Sequence, residues 1–148
     1  MKPPTVILVP TDFSESAEQA LDYAVALAGT LGAKIYLLNA IGIPSLGVPE
    51  LGIAVTSTMM ESTLKANQAE LDRLATRRSP ATIEIVLRTG DARDAIVDVA
   101  NELHADLIVM GTHGRRGVRR ALIGSIAEGV VRAAPCPVLT IRRHMATS

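Results

Sequence analysis

The chain has 148 residues, a length that suits one folded domain over residues 1–148. Its 15 basic and 15 acidic side chains balance, which argues against a general affinity for nucleic acid or membrane surfaces. A single cysteine, Cys136, excludes an intrachain disulfide and a multi-cysteine metal site, and a 48% apolar fraction supplies a core of Ala, Val, Ile and Leu without such staples.

Thr5 to Pro10 is a Val/Ile/Leu run of the kind found in strands buried on both faces. Asp12 and Ser14 close it with turn and N-cap chemistry. Ala17, Ala20, Leu21, Ala24, Val25, Ala28 and Leu31 recur at helical spacing, and Gly32 stops the helix. Lys34 to Ala40 reads as a second buried strand. Residues 41–57 carry several Gly and Pro without a period and are expected to form a mobile flap. A polar helix is expected over Met59 to Arg78, with Leu64, Leu71, Leu74 and Ala75 on one side. Thr82 to Arg88 reads as a third strand. Gly90-Asp91 opens a periodic helix through Ala92, Ala95, Ile96, Val99, Ala100 and Leu103. Residues 106–110 form a fourth strand, Ser125 to Ala134 a last helix and Pro137 to Arg142 a fifth strand. Strands alternating with helices imply a doubly wound parallel α/β sheet. Neither a charged-then-apolar leader nor an apolar run of about 18 residues is present, so a cytoplasmic location is expected.

The segment richest in chemistry lies between the fourth strand and the last helix. Gly111-Thr112-His113-Gly114 is followed, after nine residues, by Gly124-Ser125. A buried strand, a glycine-bearing loop and a helix N-terminus together suit an anion: backbone N–H groups approach closely and the helix dipole favours negative charge. The Walker loop is excluded because Gly124, not lysine, precedes Ser125, and the dinucleotide fingerprint Gly-x-Gly-x-x-Gly is absent. The two halves of the chain differ in charge: residues 1–74 hold 4 basic against 8 acidic side chains, and residues 75–148 hold 11 against 7. The basic excess concentrates at Arg115, Arg116, Arg119 and Arg120. Such a run reads either as a solvated face or as a partner for phosphate.

This spacing resembles the ATP-binding branch of the universal stress protein family, which carries Gly-x-x-Gly, nine residues, then Gly-Ser/Thr. Val9-Pro10-Thr11-Asp12-Phe13-Ser14 resembles the family's first strand and turn, and Ala105 to Gly111 its fourth strand. Gly124-Ser125-Ile126-Ala127 resembles its last helix start, and Pro135 to Arg142 its final strand. The resemblance implies a five-stranded, Rossmann-like sheet of order 3-2-1-4-5, similar to adenine nucleotide alpha hydrolases. In that order Pro10-Thr11-Asp12 and Met110-Gly111 end at a topological switch point, where ligands bind.

The resemblance also assigns roles. Asp12 would accept from a ribose hydroxyl or hold a metal on the phosphates; otherwise it only caps the first helix. Thr11 and Ala40 would bring backbone to the adenine edge. Met110 would lie against the nucleotide, or serve the core. Gly111, Gly114, Gly124, Ser125 and Ile126 would surround the phosphates with Arg115; the alternative is tight turns without a ligand. His113 could contact phosphate or act as general acid or base, but a lone loop histidine more often does neither. His104 and His144 have no partners at ligand spacing, so no metal site is expected from protein groups, with Mg2+ admitted only as a companion of ATP. The leading reading is a regulatory module that binds ATP, has an unknown protein partner and forms a homodimer through the C-terminal edge strand. The rivals are a slow ATPase or phosphotransferase, and a stress-response protein with an empty site.

Overall fold

A computed structural model describes residues 2–42, 49–113 and 123–142, with backbone alone for 49–56. Five strands form one parallel sheet: β1 (Val6–Pro10), β2 (Lys34–Ile41), β3 (Ile83–Thr89), β4 (Leu107–Gly111) and β5 (Val138–Ile141). Their order is β3-β2-β1-β4-β5, as the resemblance implied. Four helices complete the described chain: α1 (Glu15–Leu31), α2 (Pro49–Thr76), α3 (Ala92–Glu102) and α4 (Ser125–Ala133).

The central strands feed two separate apolar layers, because successive side chains of a strand point to opposite faces. Ile7, Val9, Ile35, Leu37 and Val109 meet Ala20, Leu21 and Ala24 of α1 and Leu71 and Leu74 of α2. Leu8, Leu38, Ile108 and Met110 face the other way, against Ile96 and Val99 of α3 and Ala127 and Val130 of α4. Small residues on α1 let that helix sit close to the sheet. Each large side chain fully buried here stabilises the fold by about 1.5–3 kcal/mol.

Helix ends follow capping chemistry. Ser14 caps α1 by accepting from the Ala17 amide at 3.2 Å, and Gly32 ends that helix at φ +68°. Asp91 caps α3 by accepting from Asp94 N–H at 3.0 Å. Helix α2 corrects the sequence expectation. It starts at Pro49, ten residues before Met59, so much of the stretch expected to be an irregular flap is helical. Proline is well suited to the first turn of a helix, where its missing N–H costs nothing. Residues 43–48, the rest of that stretch but for its first two residues, lie outside the described residues.

At the far end of the sheet, Asp106 Oδ2 accepts from Thr5 N–H, Val6 N–H and the Thr5 hydroxyl, all at 3.0 Å. The backbone bonds from Thr5 and Val6 hold this carboxyl below its ordinary pKa. Arg78, which follows α2, donates to Asp22, Glu18 and the Leu74 carbonyl, tying α2 to α1. Cys136 is half-buried against the α3/α4 layer, where burial, and then the Asp106 charge, raise its thiol pKa. No helix among the described residues is long and apolar enough to cross a membrane.

Candidate functional site

The strand order sets the ends of β1 and β4 side by side, with β2 adjoining β1. At the end of β1 the backbone turns sharply. Phe13 adopts φ +66°, in the left-handed region seldom used outside glycine. Two side chains hold the turn: Thr11 Oγ1 accepts from Phe13 N–H at 3.1 Å, and Asp12 Oδ1 accepts from Ser14 N–H at 3.0 Å. Asp12 is therefore part of the turn rather than the cap of α1, which is Ser14. Thr11 is buried. Its N–H donates to the Leu38 carbonyl at 2.7 Å, and its own carbonyl accepts from Asn39 Nδ2 at 2.8 Å. Ala40 follows on β2, two residues past Leu38, the register partner of Pro10. It is only partly buried, at the same end of the sheet.

At the end of β4 the Met110 side chain is buried in the α3/α4 layer, so it serves the core. Gly111 has a packing reason of its own. A Cβ there would overlap Ser16 Oγ and come within 3.1 Å of the Ser16 backbone carbonyl carbon. Glycine thus admits the first turn of α1. Thr112 is buried and donates its N–H to the Ile141 carbonyl at 3.2 Å, while its hydroxyl meets His113 Nδ1 at 3.0 Å.

The Thr112 carbonyl accepts from Gly124 N–H, which pins the start of α4 to the end of β4. A Cβ on Gly124 would sit 2.8 Å from that carbonyl oxygen. Ser125 and Ile126, both exposed, open α4. Unlike α1 and α3, α4 has no side-chain cap bond at Gly124. Its first intrahelical bond runs from Glu128 N–H to the Gly124 carbonyl at 2.9 Å, so the three amides before it are donors with no intrahelical acceptor. Glu128 itself pairs with Arg132 at 3.0 Å. Gly114 and Arg115, with Arg116, Gly117, Arg119 and Arg120, lie outside the described residues. Pro10 ends β1 and Thr11 and Asp12 form the turn after it, Ala40 lies on β2, Met110 and Gly111 end β4, and Gly124, Ser125 and Ile126 open α4.

A model of the Universal stress protein family matches residues 5–142. The chain belongs to the universal stress protein family. It is 31% identical over 143 residues to a universal stress protein of Methanocaldococcus jannaschii, covering 93% of this chain and 81% of that one. Among solved structures, the universal stress protein UspA from Lactobacillus plantarum superposes with a TM-score of 0.82 at 30% identity, over 96% of this chain and all of that one. A universal stress protein in complex with cAMP superposes with a TM-score of 0.70 at 26% identity, over 95% of this chain and 98% of that one.

Sequence reasoning passed over three polar groups in this universal stress protein. Asn39, 5% exposed, bridges the Thr11 carbonyl and Asn67 of α2. Ser16, also 5% exposed, packs its hydroxyl against Gly111 without a hydrogen-bond partner among the described residues. Thr112 anchors α4. Of the three, Asn39 carried a local signal: it is an amide inside a run read as buried on both faces, and such a group demands partners. Among the described residues no group of three or more His, Cys, Asp or Glu is arranged to hold a metal ion.

Proposed function

We propose that this universal stress protein binds ATP at the switch point between β1 and β4 and passes its occupancy to a protein partner. One observation carries the reading. The β3-β2-β1-β4-β5 order brings the β1 turn and the end of β4 together, and the Gly124–Thr112 bond fixes the uncapped start of α4 beside them. Helix amides with no intrahelical acceptor and the dipole suit phosphate. The Gly124 position fits as well, since a side chain there would collide with backbone. Ser125 adds a hydroxyl, Asp12 an acceptor for ribose, and the backbone at Thr11 and Ala40 faces for the base. The glycine spacing from 111 to 124 resembles that of the family's ATP-binding branch. Any Mg2+ would ride on the phosphates, with Asp12 as the nearest carboxylate on the β1 turn. The complex of a related protein with cAMP supports an adenine ligand.

Mass spectrometry of nucleotide released from purified protein, with calorimetry against ATP and GTP, tests this reading. ATP is expected to bind and GTP to bind more weakly. Ser125→Ala should weaken ATP by about 5-fold, the worth of one hydroxyl hydrogen bond at about 1 kcal/mol. No heat of binding with ATP and no released nucleotide would refute the proposal.

The homodimer belongs to the same reading. All four residues of β5 are only partly buried, and β5 is a sheet edge. The Pro137 carbonyl accepts from Ile108 N–H on β4, and the Ile141 carbonyl from Thr112 N–H just past it. Peptide direction alternates along a strand, so Leu139 also faces β4, while the backbone of Val138 and Thr140 points outward. An edge with no further strand beside it among the described residues invites a second copy across a two-fold axis. Thr140→Pro removes an outward N–H and spares the ladder to β4. Light scattering is expected to show a wild-type dimer at tens of micromolar and a folded Thr140→Pro monomer. A variant that remains dimeric would place the interface elsewhere.

A further inference from the structure

Asn39 lies on the face of β2 that looks toward α1 and α2, as do Ile35 and Leu37 by the alternation of the strand. Its amide is the middle of a three-part chain. Asn67 Nδ2 on α2 donates to Asn39 Oδ1 at 2.8 Å, and Asn39 Nδ2 donates to the Thr11 carbonyl at 2.8 Å. The polarity of this chain is forced from one end. A backbone carbonyl only accepts, so Asn39 must turn its nitrogen to Thr11. Its oxygen then faces α2, and Asn67 must present a donor. Each bond lies in a sheltered setting, where a mismatched polar group is costly.

Thr11 is the hub of the β1 turn. Its N–H is spent on Leu38, its hydroxyl accepts from Phe13 N–H, and its carbonyl is linked to α2 through Asn39 and Asn67. We infer that Asn39 and Asn67 are positioning residues of the nucleotide site, a polar relay that makes the β1 turn depend on how α2 is seated. The inference rests on the nucleotide reading above for its effect on affinity. The relay itself is a property of the free protein. Coupling of this kind is reciprocal: whatever moves α2 weakens the nucleotide, and nucleotide holds α2 in place.

Two substitutions at the half-buried end of the relay separate polarity from packing. Asn67→Ala removes the donor and leaves Asn39 free to reorient. Asn67→Asp keeps the shape but replaces the donor by an acceptor. Asn39 then faces an acceptor at both ends, and whichever way its amide turns, its oxygen meets either the Asp carboxylate or the Thr11 carbonyl. The expected order of ATP affinity is wild type, Asn67→Ala, Asn67→Asp, with about a tenfold loss for the last. In the ligand-free protein, amide hydrogen exchange at Phe13 is expected to quicken by about tenfold in Asn67→Asp. A role in packing alone predicts the opposite order, because Asp is isosteric with Asn and Ala is not. Wild-type exchange at Phe13 together with undiminished affinity in Asn67→Asp would overturn the relay. A wild type that fails to bind ATP would instead sink the nucleotide reading and the relay's effect on it, while the exchange arm would still report on the β1 turn.

Discussion

Gly111→Ala is expected to destabilise the fold by about 2–3 kcal/mol, the upper part of the range for adding atoms to a packed interior. The new methyl has nowhere to go. It would overlap Ser16 Oγ and press on the Ser16 Cβ and backbone carbonyl carbon, at 3.2 and 3.1 Å. Rotation of the Ser16 hydroxyl relieves only the first overlap; the contacts with Cβ and the carbonyl carbon require α1 to give slightly from β4, which loosens the packing of Ala20, Leu21 and Ala24. Ser16→Ala alone is expected to change stability little, because the hydroxyl it removes is buried without a partner among the described residues. The two together should be milder than their sum by about 1 kcal/mol, since the second removes the first atom the new methyl strikes. Urea denaturation of the four proteins measures both quantities. Wild-type stability in Gly111→Ala would show that α1 can shift without cost.

The second large effect is expected at the other end of the same segment. Gly124→Val should lower ATP affinity by about 100-fold or more while the circular dichroism spectrum stays that of the wild type. Here the obstacle is the Thr112 carbonyl oxygen, 2.8 Å from the new Cβ. No side chain can swing aside to make room, so the start of α4 must move. Its first-turn amides and Ser125 then leave the position that suits phosphate. Two hydrogen bonds to a charged group, at about 1.5–3 kcal/mol each, account for a loss of that size. The rest of α4 stays anchored through Ala127 and Val130, both buried, so the effect should fall on binding more than on folding. Calorimetry on the folded variant decides, and affinity within a few-fold of wild type would remove Gly124 from the site.

The alternation of strand and helix was legible because each signal was local. Val and Ile runs marked β1 and β4, alanines at helical spacing marked α1, and Gly32 and Asp91 stood where helices stop and start. The strand order came from the family resemblance, not from any local pattern. The start of α2 was missed because residues 41–57 carry several Gly and Pro and no clear period. Pro49 is in fact the first residue of the helix, the position where proline is at home, and one glycine inside a helix of 28 residues costs only about 1 kcal/mol. The candidate site was legible as a set of segments but not as a set of contacts. Nothing near Ser16 in the chain says that it will be buried; Gly111, 95 positions away, does that. Gly111 read as a phosphate-loop or tight-turn glycine, although its missing side chain also admits a helix. Asn67 looked like one more polar residue on a polar helix until β2 was seen to hold its partner.

Strand β1 has no phase. Residues 6–9 are all Val, Ile or Leu, and both faces of the strand are covered. Sliding it by one place would exchange one aliphatic side chain for another in each layer, so hydropathy alone sets almost no penalty against the error. What distinguishes the correct alignment stands at its two ends. The Asp106 carboxylate takes the amides of Thr5 and Val6, and the Asn39 amide takes the carbonyl of Thr11. A slip would leave these fixed acceptors and donors facing the wrong peptide groups at both ends at once. The greasy middle of the strand supplies adhesion, and two polar side chains borrowed from the neighbouring strand and loop supply its address.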